Sequence, residues 1–337
     1  MRTPSRRTGA ALATLPLALL LTLSACSGGA EETSSEETSA EASSAEASSV
    51  EIEDNHGTQT VATPPQNVVS TDNRTFETLC DWGVELAAAP QPLIPDSIEC
   101  FQGEDTVNLG NHREPDLEAV AGVQPDLIVN GQRFGDYYGD FQELAPDAAI
   151  VEFEPRDGQP FFDELKRQTS AMGTLFGHET EADQLNSDLD AAAQRVSDSY
   201  QEGDTVMAVN VSGGEIGYIA PGNGRTIGPM FDEFGFTPAL EVEGASEDHR
   251  GDDISVEAIA ESNPDWILVL DRDAGVNSEE GATPAQEVIS GAEALQGVTA
   301  VQEGNVYYLP ADTYTNEGIQ TYTEIFNGAA DAFGKQG

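Results

Sequence analysis

Three arginines carry the chemistry that the sequence shows most directly. Arg133 and Arg272 each follow an apolar run that is typical of a strand, and Arg225 ends the tight turn PGNGR at residues 221–225. Ligands of open α/β sheets bind beyond the carboxyl ends of the strands, and guanidinium groups are planar, permanently charged donors for anions. Pairing with surface carboxylates is the alternative, since the chain has 61 Asp and Glu residues against 14 Lys and Arg. The equivalent positions of Arg133 and Arg272 favour a site for an anionic ligand.

Those equivalent positions come from an internal repeat. Residues 116–133 read DLEAVAGVQPDLIVNGQR, and residues 255–272 read SVEAIAESNPDWILVLDR. In each copy an N-cap residue precedes a short helix, a proline ends the helix, and a strand leads to an arginine. The repeat predicts two similar lobes, with Arg133 and Arg272 facing each other across the cleft between them.

The remaining pattern alternates strands with helices and predicts an α/β fold with mainly parallel sheets. Strands are predicted at 128–130, 149–153, 205–211, 267–270 and 306–309. Midway between the two copies, residues 179–201 carry apolar residues at helical spacing without glycine or proline. We expect this segment to be one long helix that joins an N-terminal lobe, residues 55–178, to a C-terminal lobe, residues 202–337.

The first residues are typical of an export signal. Residues 1–25 combine a positive start with an apolar core that is too short to span a bilayer. The sequence LSAC ending at Cys26 resembles the lipobox of bacterial lipoproteins, and that resemblance implies acylation of Cys26. Residues 26–54 are mostly Ser, Glu, Ala, Thr and Gly, which predicts a disordered acidic tether. We therefore expect an extracytoplasmic protein that is anchored by lipid to the outer face of the cell membrane.

Charge, motifs and cysteines narrow the class of function. A formal net charge of −47 argues against partners such as nucleic acid or anionic headgroups. The sequence has no P-loop, HExxH or GxSxG motif, and its four histidines are scattered rather than grouped as zinc ligands. Cys80 and Cys100 form an even pair in the folded part, which predicts a disulfide in an exported protein. These features indicate a binding protein rather than an enzyme.

Several segments resemble the periplasmic-binding proteins of the iron-siderophore and vitamin B12 type, which serve ABC importers. The segments are VNLGNHREPDLEAVAGVQPDLIVNGQR, YIAPGNGRTIGPMFDEFG, NPDWILVLDR and AVQEGNVYYLP. They are most similar to lipoproteins that bind ferric catecholates of the petrobactin and enterobactin type. The resemblance implies two lobes joined by one long backbone helix, a ferric siderophore in the cleft, and no tightly bound cofactor.

The resemblance also implies roles for the arginines. Arg133, Arg225 and Arg272 match the family's arginines that bind the anionic siderophore, although Arg133 lies one position later than usual. Tyr138, which follows Arg133 closely, is a further candidate for the pocket wall, and packing against the next helix is its alternative. Arg74 is a lesser candidate for the same site.

Iron and the permease give further candidates. Relatives complete the coordination of iron with a tyrosine and a histidine, which Tyr314 and His249 match approximately; an ungapped alignment places Arg250 at the histidine position. Glu118 and Glu257, aligned in the repeat, match the glutamates that dock on the two permease subunits. Their alternative role is to stabilise the first turn of a helix.

Other readings stay open from the sequence. A haem or cobamide binder of the same fold is one alternative, and an acidic surface lipoprotein with a structural or sensory role is another. The arginines favour an anionic chelate, catecholate or of mixed type, over a cobamide. We expect a monomer that delivers its ligand to an ABC permease.

Overall fold

The computed structural model describes residues 48–111, 113–244, 250–276 and 282–336 of the chain. The export signal, Cys26 and His249 lie outside the described residues. Among those described, no helix has both the length and the apolar character needed to cross a bilayer.

Short apolar runs form a parallel sheet in the N-terminal lobe. The elements of this lobe, in chain order, are β1 (Ser48–Asp54), β2 (Gly57–Thr63), β3 (Val68–Ser70), α1 (Phe76–Asp81), β4 (Leu86–Ala89), β5 (Val107–Asn108), β6 (Gly110–Asn111), β7 (Glu114–Pro115), α2 (Leu117–Val123), β8 (Leu127–Asn130), α3 (Tyr138–Leu144) and β9 (Ala149–Glu152). The strand order of the sheet is β5-β4-β3-β8-β9, with parallel pairing throughout. A β1–β2 hairpin precedes the sheet, and β6 pairs with β7.

The C-terminal lobe has a mixed sheet of similar design. Two helices, α4 (Phe161–Phe176) and α5 (Glu179–Ser199), lead into this lobe. The elements of the lobe are β10 (Thr205–Ser212), β11 (Glu215–Tyr218), α6 (Gly228–Phe234), β12 (Thr237–Pro238), α7 (Val256–Ser262), β13 (Trp266–Asp271), α8 (Arg272–Gly275), α9 (Ala285–Gly291), α10 (Thr299–Glu303), β14 (Val306–Tyr308) and α11 (Ile319–Phe333). The strand order is β11-β10-β13-β14, in which β10, β13 and β14 are parallel, β11 is antiparallel to β10, and β12 also pairs with β10.

Short 3-10 turns complete the path at Gln91–Leu93, Glu99–Phe101, Gln132–Tyr137, Glu293–Gly297 and Gly334–Gln336. The two separate sheets confirm the predicted α/β fold of two lobes. The predicted disulfide is also present: Cys80, at the end of α1, is bonded to Cys100.

The connection between the lobes contains one more helix than the single long helix expected from the sequence. A helix does form at Glu179–Ser199, but its buried residues on the C-terminal side pack into the core of the C-terminal lobe. The preceding helix α4 places Phe162 in that core and Met172 in the core of the N-terminal lobe. The lobes are therefore linked by two antiparallel helices, and α4 is the one that buries apolar side chains in both cores.

The tether predicted for residues 26–54 is too long at its carboxyl end. Ser48–Asp54 is strand β1, paired with β2 in a hairpin. Ile52 and Val61 point from this hairpin into the core of the N-terminal lobe, where they are 5% and 1% exposed. Burial of these alternate apolar side chains offsets the cost of ordering an otherwise polar segment.

Candidate functional site

The arginines predicted to bind the ligand follow the carboxyl ends of strands in both lobes. Arg133 lies in the 3-10 turn after β8, and Arg272 is the first residue of α8, directly after β13. Arg225 lies in the loop between β11 and α6. Both β8 and β13 are inner strands with parallel neighbours, so the residues after them lie where open sheets bind ligands.

All three arginines meet at one aromatic ring. The Cζ atoms of Arg225, Arg272 and Arg133 lie 4.1, 5.0 and 5.7 Å from the ring centroid of Tyr314. These distances are within the range of cation–π attraction, about 6 Å. Tyr314 itself is only 2% exposed. The structure thus brings together four of the residues that the sequence singled out, from both lobes.

The arginines change the acidity of this tyrosine. Burial raises the pKa of Tyr314, but the charges of Arg225, Arg133 and Arg272, with a hydrogen bond from Arg272, outweigh burial and hold the pKa below its ordinary value. A phenol with a lowered pKa loses its proton more readily, which favours binding to Fe(III), an ion that prefers anionic oxygen ligands. The role of Tyr314 as an iron ligand stays a prediction.

A buried carboxylate that sequence analysis did not select fixes Arg225. Nη2 of Arg225 lies 2.6 Å from Oε2 of Glu317, and the hydroxyl of Thr226 donates to Oε1 of the same carboxylate at 2.5 Å. Arg225 also donates to the carbonyl of Tyr314 at 3.0 Å. Burial raises the pKa of Glu317, but Arg225 and Arg74 outweigh it, so this pKa lies below the ordinary value. Glu317 is therefore ionised and holds Arg225 in place.

A second ion pair holds Arg74, the lesser candidate, on the N-terminal side. Nη1 of Arg74 lies 3.0 Å from Oε2 of Glu154, and its Cζ lies 5.8 Å from the ring of Phe161. Burial lowers the pKa of Arg74, but the carboxylates of Glu154, Asp72 and Glu317 outweigh burial and raise it. Since Glu317 belongs to the other lobe, the charges of the two ion pairs act on one another across the lobe boundary.

Between the lobes lies a cavity of about 1130 Å³. Arg74 and Arg133 line it from the N-terminal side, and Phe161, Arg225 and Tyr322 line it from the C-terminal side. Arg272 and Tyr314 do not line it, so the arginine cluster borders the cavity through Arg133 and Arg225. This volume is slightly above that of ordinary ligand pockets, which hold about 300–1,000 Å³.

Buried donors in the cluster lack partners. Nε of Arg133, Nε of Arg272 and Nε2 of Gln132 are buried and form no hydrogen bond with any described residue. A buried donor without a partner is costly, and native proteins satisfy nearly all such groups. These donors are therefore suited to acceptors that a bound ligand would bring.

A buried acid lies beside the loop that carries Arg133. Asp72 is fully buried; its carboxylate accepts hydrogen bonds from the backbone N–H of Arg74 at 2.9 Å and from Nε2 of Gln168 at 2.6 Å. Burial raises the pKa of Asp72 to about 6, against the opposing charge of Arg74. A Cβ at Gly131 would come within 2.7 Å of this carboxylate, so only glycine fits where the loop passes Asp72.

Other predicted site residues are not in the cluster. The ring of Tyr138 stacks on His56 of the β1–β2 turn, with centroids 3.8 Å apart, and does not line the cavity. It therefore belongs to the packing of the N-terminal lobe, the alternative that the sequence left open. His249 lies outside the described residues. No group of three or more potential metal ligands occurs among the residues that the structure describes.

The two glutamates of the repeat are both exposed. Glu118 lies in the first turn of α2 and Glu257 in the first turn of α7. Neither forms an ion pair with another described residue. Their exposure agrees with docking and with helix stabilisation alike, so docking stays a prediction.

Comparison with known proteins gives the class of this fold. A model of the periplasmic binding protein family matches residues 68–313. The chain is 26% identical over 289 residues to the petrobactin-binding protein YclQ of Bacillus subtilis, which covers 84% of this chain and 86% of that protein. It is 25% identical over 272 residues to the ferric-anguibactin-binding protein FatB of Vibrio anguillarum, covering 78% and 80%.

Solved structures agree with this class. The crystal structure of the catecholate-siderophore binding protein VctP from Vibrio cholerae aligns with a TM-score of 0.73 at 25% identity, covering 84% of this chain and 99% of that chain. A TroA-like periplasmic binding protein from Xylanimonas cellulosilytica aligns with a TM-score of 0.69 at 29% identity, covering 85% and 99%.

The chain belongs to the periplasmic binding protein family. This confirms the family that the sequence resembled, and it confirms a solute-binding protein rather than an enzyme. The family model begins at Val68, so the β1–β2 hairpin lies outside the matched residues.

Proposed function

We propose that this protein captures a ferric siderophore of catecholate or mixed type between its lobes and delivers it to an ABC permease for iron uptake. The observation that carries the proposal is the meeting of Arg133, Arg225 and Arg272 on the ring of Tyr314. Three guanidinium groups repel one another, and an anionic ligand relieves that repulsion. Relatives named for binding petrobactin and ferric anguibactin support the same class of ligand.

The ligand would use the donors that lack partners. Catecholate oxygens are acceptors, and they would take hydrogen bonds from Nε of Arg133 and from the amide of Gln132, two residues that line the cavity. The cavity between the lobes gives such a chelate room beside the cluster. Iron is the cargo here, and Tyr314, the phenol on whose ring the three arginines meet, is the side chain that would ligate it.

The test of this proposal is a titration of intrinsic fluorescence. The protein without its first 26 residues is titrated with a ferric triscatecholate, a ferric biscatecholate, a ferric trihydroxamate, haem and a cobamide. We expect tight quenching by a catecholate, and a loss of affinity of about 100-fold or more when Arg133, Arg225 and Arg272 are all changed to Ala.

Arg195→Ala is the matched control for the triple variant. Arg195 is 49% exposed and pairs with Asp331 on the surface of the C-terminal lobe, so its removal leaves affinity unchanged. Tight binding that survives in the triple variant would refute the site. Binding of haem or cobamide alone would refute the ligand and leave the family intact.

Membrane anchoring forms part of the same proposal. The sequence LSAC would place a lipid on Cys26, which would hold the protein outside the cytoplasm near the permease. We expect Cys26→Ser to abolish palmitate labelling and to release the protein from the membrane fraction. Labelling that is unchanged in Cys26→Ser would exclude this anchor.

A further inference from the structure

Glu317 places a negative charge inside a site that otherwise gathers positive ones. The residue is 7% exposed, precedes α11, and contacts Arg225 through both Nη2, at 2.6 Å, and Nε, at 3.3 Å. Glu154 is another of the carboxylates at the same cavity, and it is the one that pairs with Arg74. Both carboxylates line the space in which an anionic chelate would lie.

The four arginines are therefore not equivalent. Arg74 and Arg225 each have a carboxylate within 3.0 Å. Arg133 forms no ion pair with any described residue, and the carboxylate paired with Arg272 is that of Asp273, at 3.7 Å. Carboxylates in direct contact therefore offset the positive charges of Arg74 and Arg225, two of the four arginines, without a ligand. The net positive charge that attracts an anionic ligand is smaller than the number of arginines indicates.

The backbone conformation of Thr226 indicates that the surrounding contacts hold Glu317 in one position. Thr226 has φ +61°, a left-handed conformation that is costly for a β-branched residue. This conformation accompanies the hydrogen bond from the Thr226 hydroxyl to Glu317. Strain of this kind persists only where the surrounding contacts determine it, and here those contacts fix the carboxylate against Arg225.

We infer that Glu317, and to a smaller extent Glu154, is a specificity-determining residue that limits the negative charge of the ligand. This inference rests on the proposed function and deepens it. A buried carboxylate repels each surplus negative charge of a neighbouring chelate, so the penalty grows with the charge of the ligand. The site accordingly favours ferric chelates with one or two surplus negative charges over those with three.

The charge of a ferric chelate follows from its donors. Fe(III) with three catecholate dianions carries three negative charges, and with two catecholate dianions it carries one. Fe(III) with three hydroxamate anions is neutral. These three chelates form a series in charge around one metal ion, and they separate an effect of charge from an effect on iron itself.

The experiment compares Glu317→Gln with the wild-type protein, each without its first 26 residues, by fluorescence titration with these chelates. We expect Glu317→Gln to tighten binding about threefold per surplus charge, hence roughly 30-fold for the triscatecholate and about threefold for the biscatecholate. Any binding of the trihydroxamate stays unchanged. Equal factors for all three chelates, or weaker binding of the triscatecholate, would overturn the inference.

Glu154→Gln provides a second, independent variant. The side chain of Glu154 is 34% exposed, so its loss disturbs the fold less than loss of the buried Glu317, and its charge is better screened. We expect the same order of chelates with a smaller gain, about twofold per surplus charge. Thermal unfolding shows whether Glu317→Gln is folded. If it is not, the test depends on Glu154→Gln, and the inference is refuted when this variant gains no affinity that increases with the charge of the chelate.

Different results refute the proposed function and the inference about ligand charge. A wild-type protein that binds none of the ferric chelates refutes the proposed function, and the inference with it. The wild-type protein could bind a catecholate through the three arginines while neither glutamine variant changes affinity in proportion to the charge of the chelate. That result refutes the inference alone.

Discussion

The two copies of the repeat, residues 116–133 and 255–272, use one framework to place two different arginine sites. In each, an N-cap side chain accepts a hydrogen bond from the backbone N–H three residues on: Asp116 from Ala119, and Ser255 from Ala258. Each helix ends on a residue in the left-handed conformation, Gln124 or Asn263.

The aspartate after the proline accepts hydrogen bonds from the start of a neighbouring strand in both copies. Asp126 accepts from the backbone N–H groups of Gln66 and Asn67, at 2.7 and 3.0 Å. Asp265 accepts from the backbone N–H and the hydroxyl of Thr205, both at 2.8 Å. Each aspartate thus ties the start of its own strand to the start of the neighbouring parallel strand.

The copies differ beyond the strand. After β8 the chain passes Asp72 at Gly131, and Gln132 takes a left-handed conformation, φ +49°, before Arg133. After β13, Asp271 caps α8, and Arg272 follows with a hydrogen bond to Ser212 at 3.2 Å. The repeated part is the support, and the short segments after it give each arginine its own surroundings. Both copies have a buried acid near the arginine: Asp72, fully buried, comes from a separate segment in the first, and Asp273, 8% exposed, directly follows Arg272 in the second. The full burial of Asp72 distinguishes the first copy.

The largest expected effect comes from removing that acid. The folded pKa of Asp72, about 6, lies above its ordinary value of 3.8, so the unfolded chain loses this proton first as the pH rises. The protonated Asp72 therefore stabilises the fold below about pH 4. As the pH rises from about 4 to 6 this contribution is lost, and the free energy of unfolding falls by at most about 3 kcal/mol. We therefore compare the free energy of unfolding of Asp72→Asn with that of the wild type by urea unfolding at pH 4 and pH 7. We expect the difference, variant minus wild type, to be about 2–3 kcal/mol larger at pH 7 than at pH 4.

Ser212→Ala, at the residue that accepts a hydrogen bond from Arg272 of the second copy, is the control. Ser212 ends the strand beside β13 and does not titrate, so its effect on unfolding is the same at both pH values. If Asp72→Asn also gave equal changes at pH 4 and pH 7, the buried acid would not distinguish the two copies.

A smaller, symmetrical effect is expected where the copies agree. Asp126→Ala and Asp265→Ala each remove two charge-assisted hydrogen bonds on partly buried carboxylates, so each lowers the free energy of unfolding by about 2 kcal/mol. Asn at either position retains an acceptor and costs less. Denaturant unfolding measures both series, and a loss in one copy that is twice the loss in the other would contradict a shared framework.

The framework was predictable from the sequence because its signals are local. The runs at 128–130, 149–153, 205–211, 267–270 and 306–309 correspond to β8, β9, β10, β13 and β14. Caps, proline and strand lie within a few residues of one another, so a pattern reveals them. The short strand β3 and the polar hairpin β1–β2 were not predicted, since their burial depends on contacts with distant elements.

The arginines were predictable for the same reason, but their partners were not. Arg225 meets Glu317, and Arg74 meets Glu154, at sequence separations of 92 and 80 residues. With 61 acidic residues in the chain, no local pattern selects these two carboxylates. The connecting helix was predicted at residues 179–201 alone because that segment lies midway between the two copies of the repeat. That α4 buries apolar side chains in both cores depends on contacts with distant elements.

The smallest effect on stability is expected at the exposed glutamates of the two copies. Glu118 and Glu257 lie in first turns, where a carboxylate stabilises the helix by only about 0.5 kcal/mol, so Gln at either position leaves the fold and ligand affinity intact. If both dock on the permease, each single variant lowers iron uptake by cells severalfold and the double variant abolishes it. Glu179→Gln, an exposed first-turn glutamate outside the repeat, is the matched control and leaves uptake unchanged. Normal uptake by the double variant would mean that these glutamates act only on their own helices.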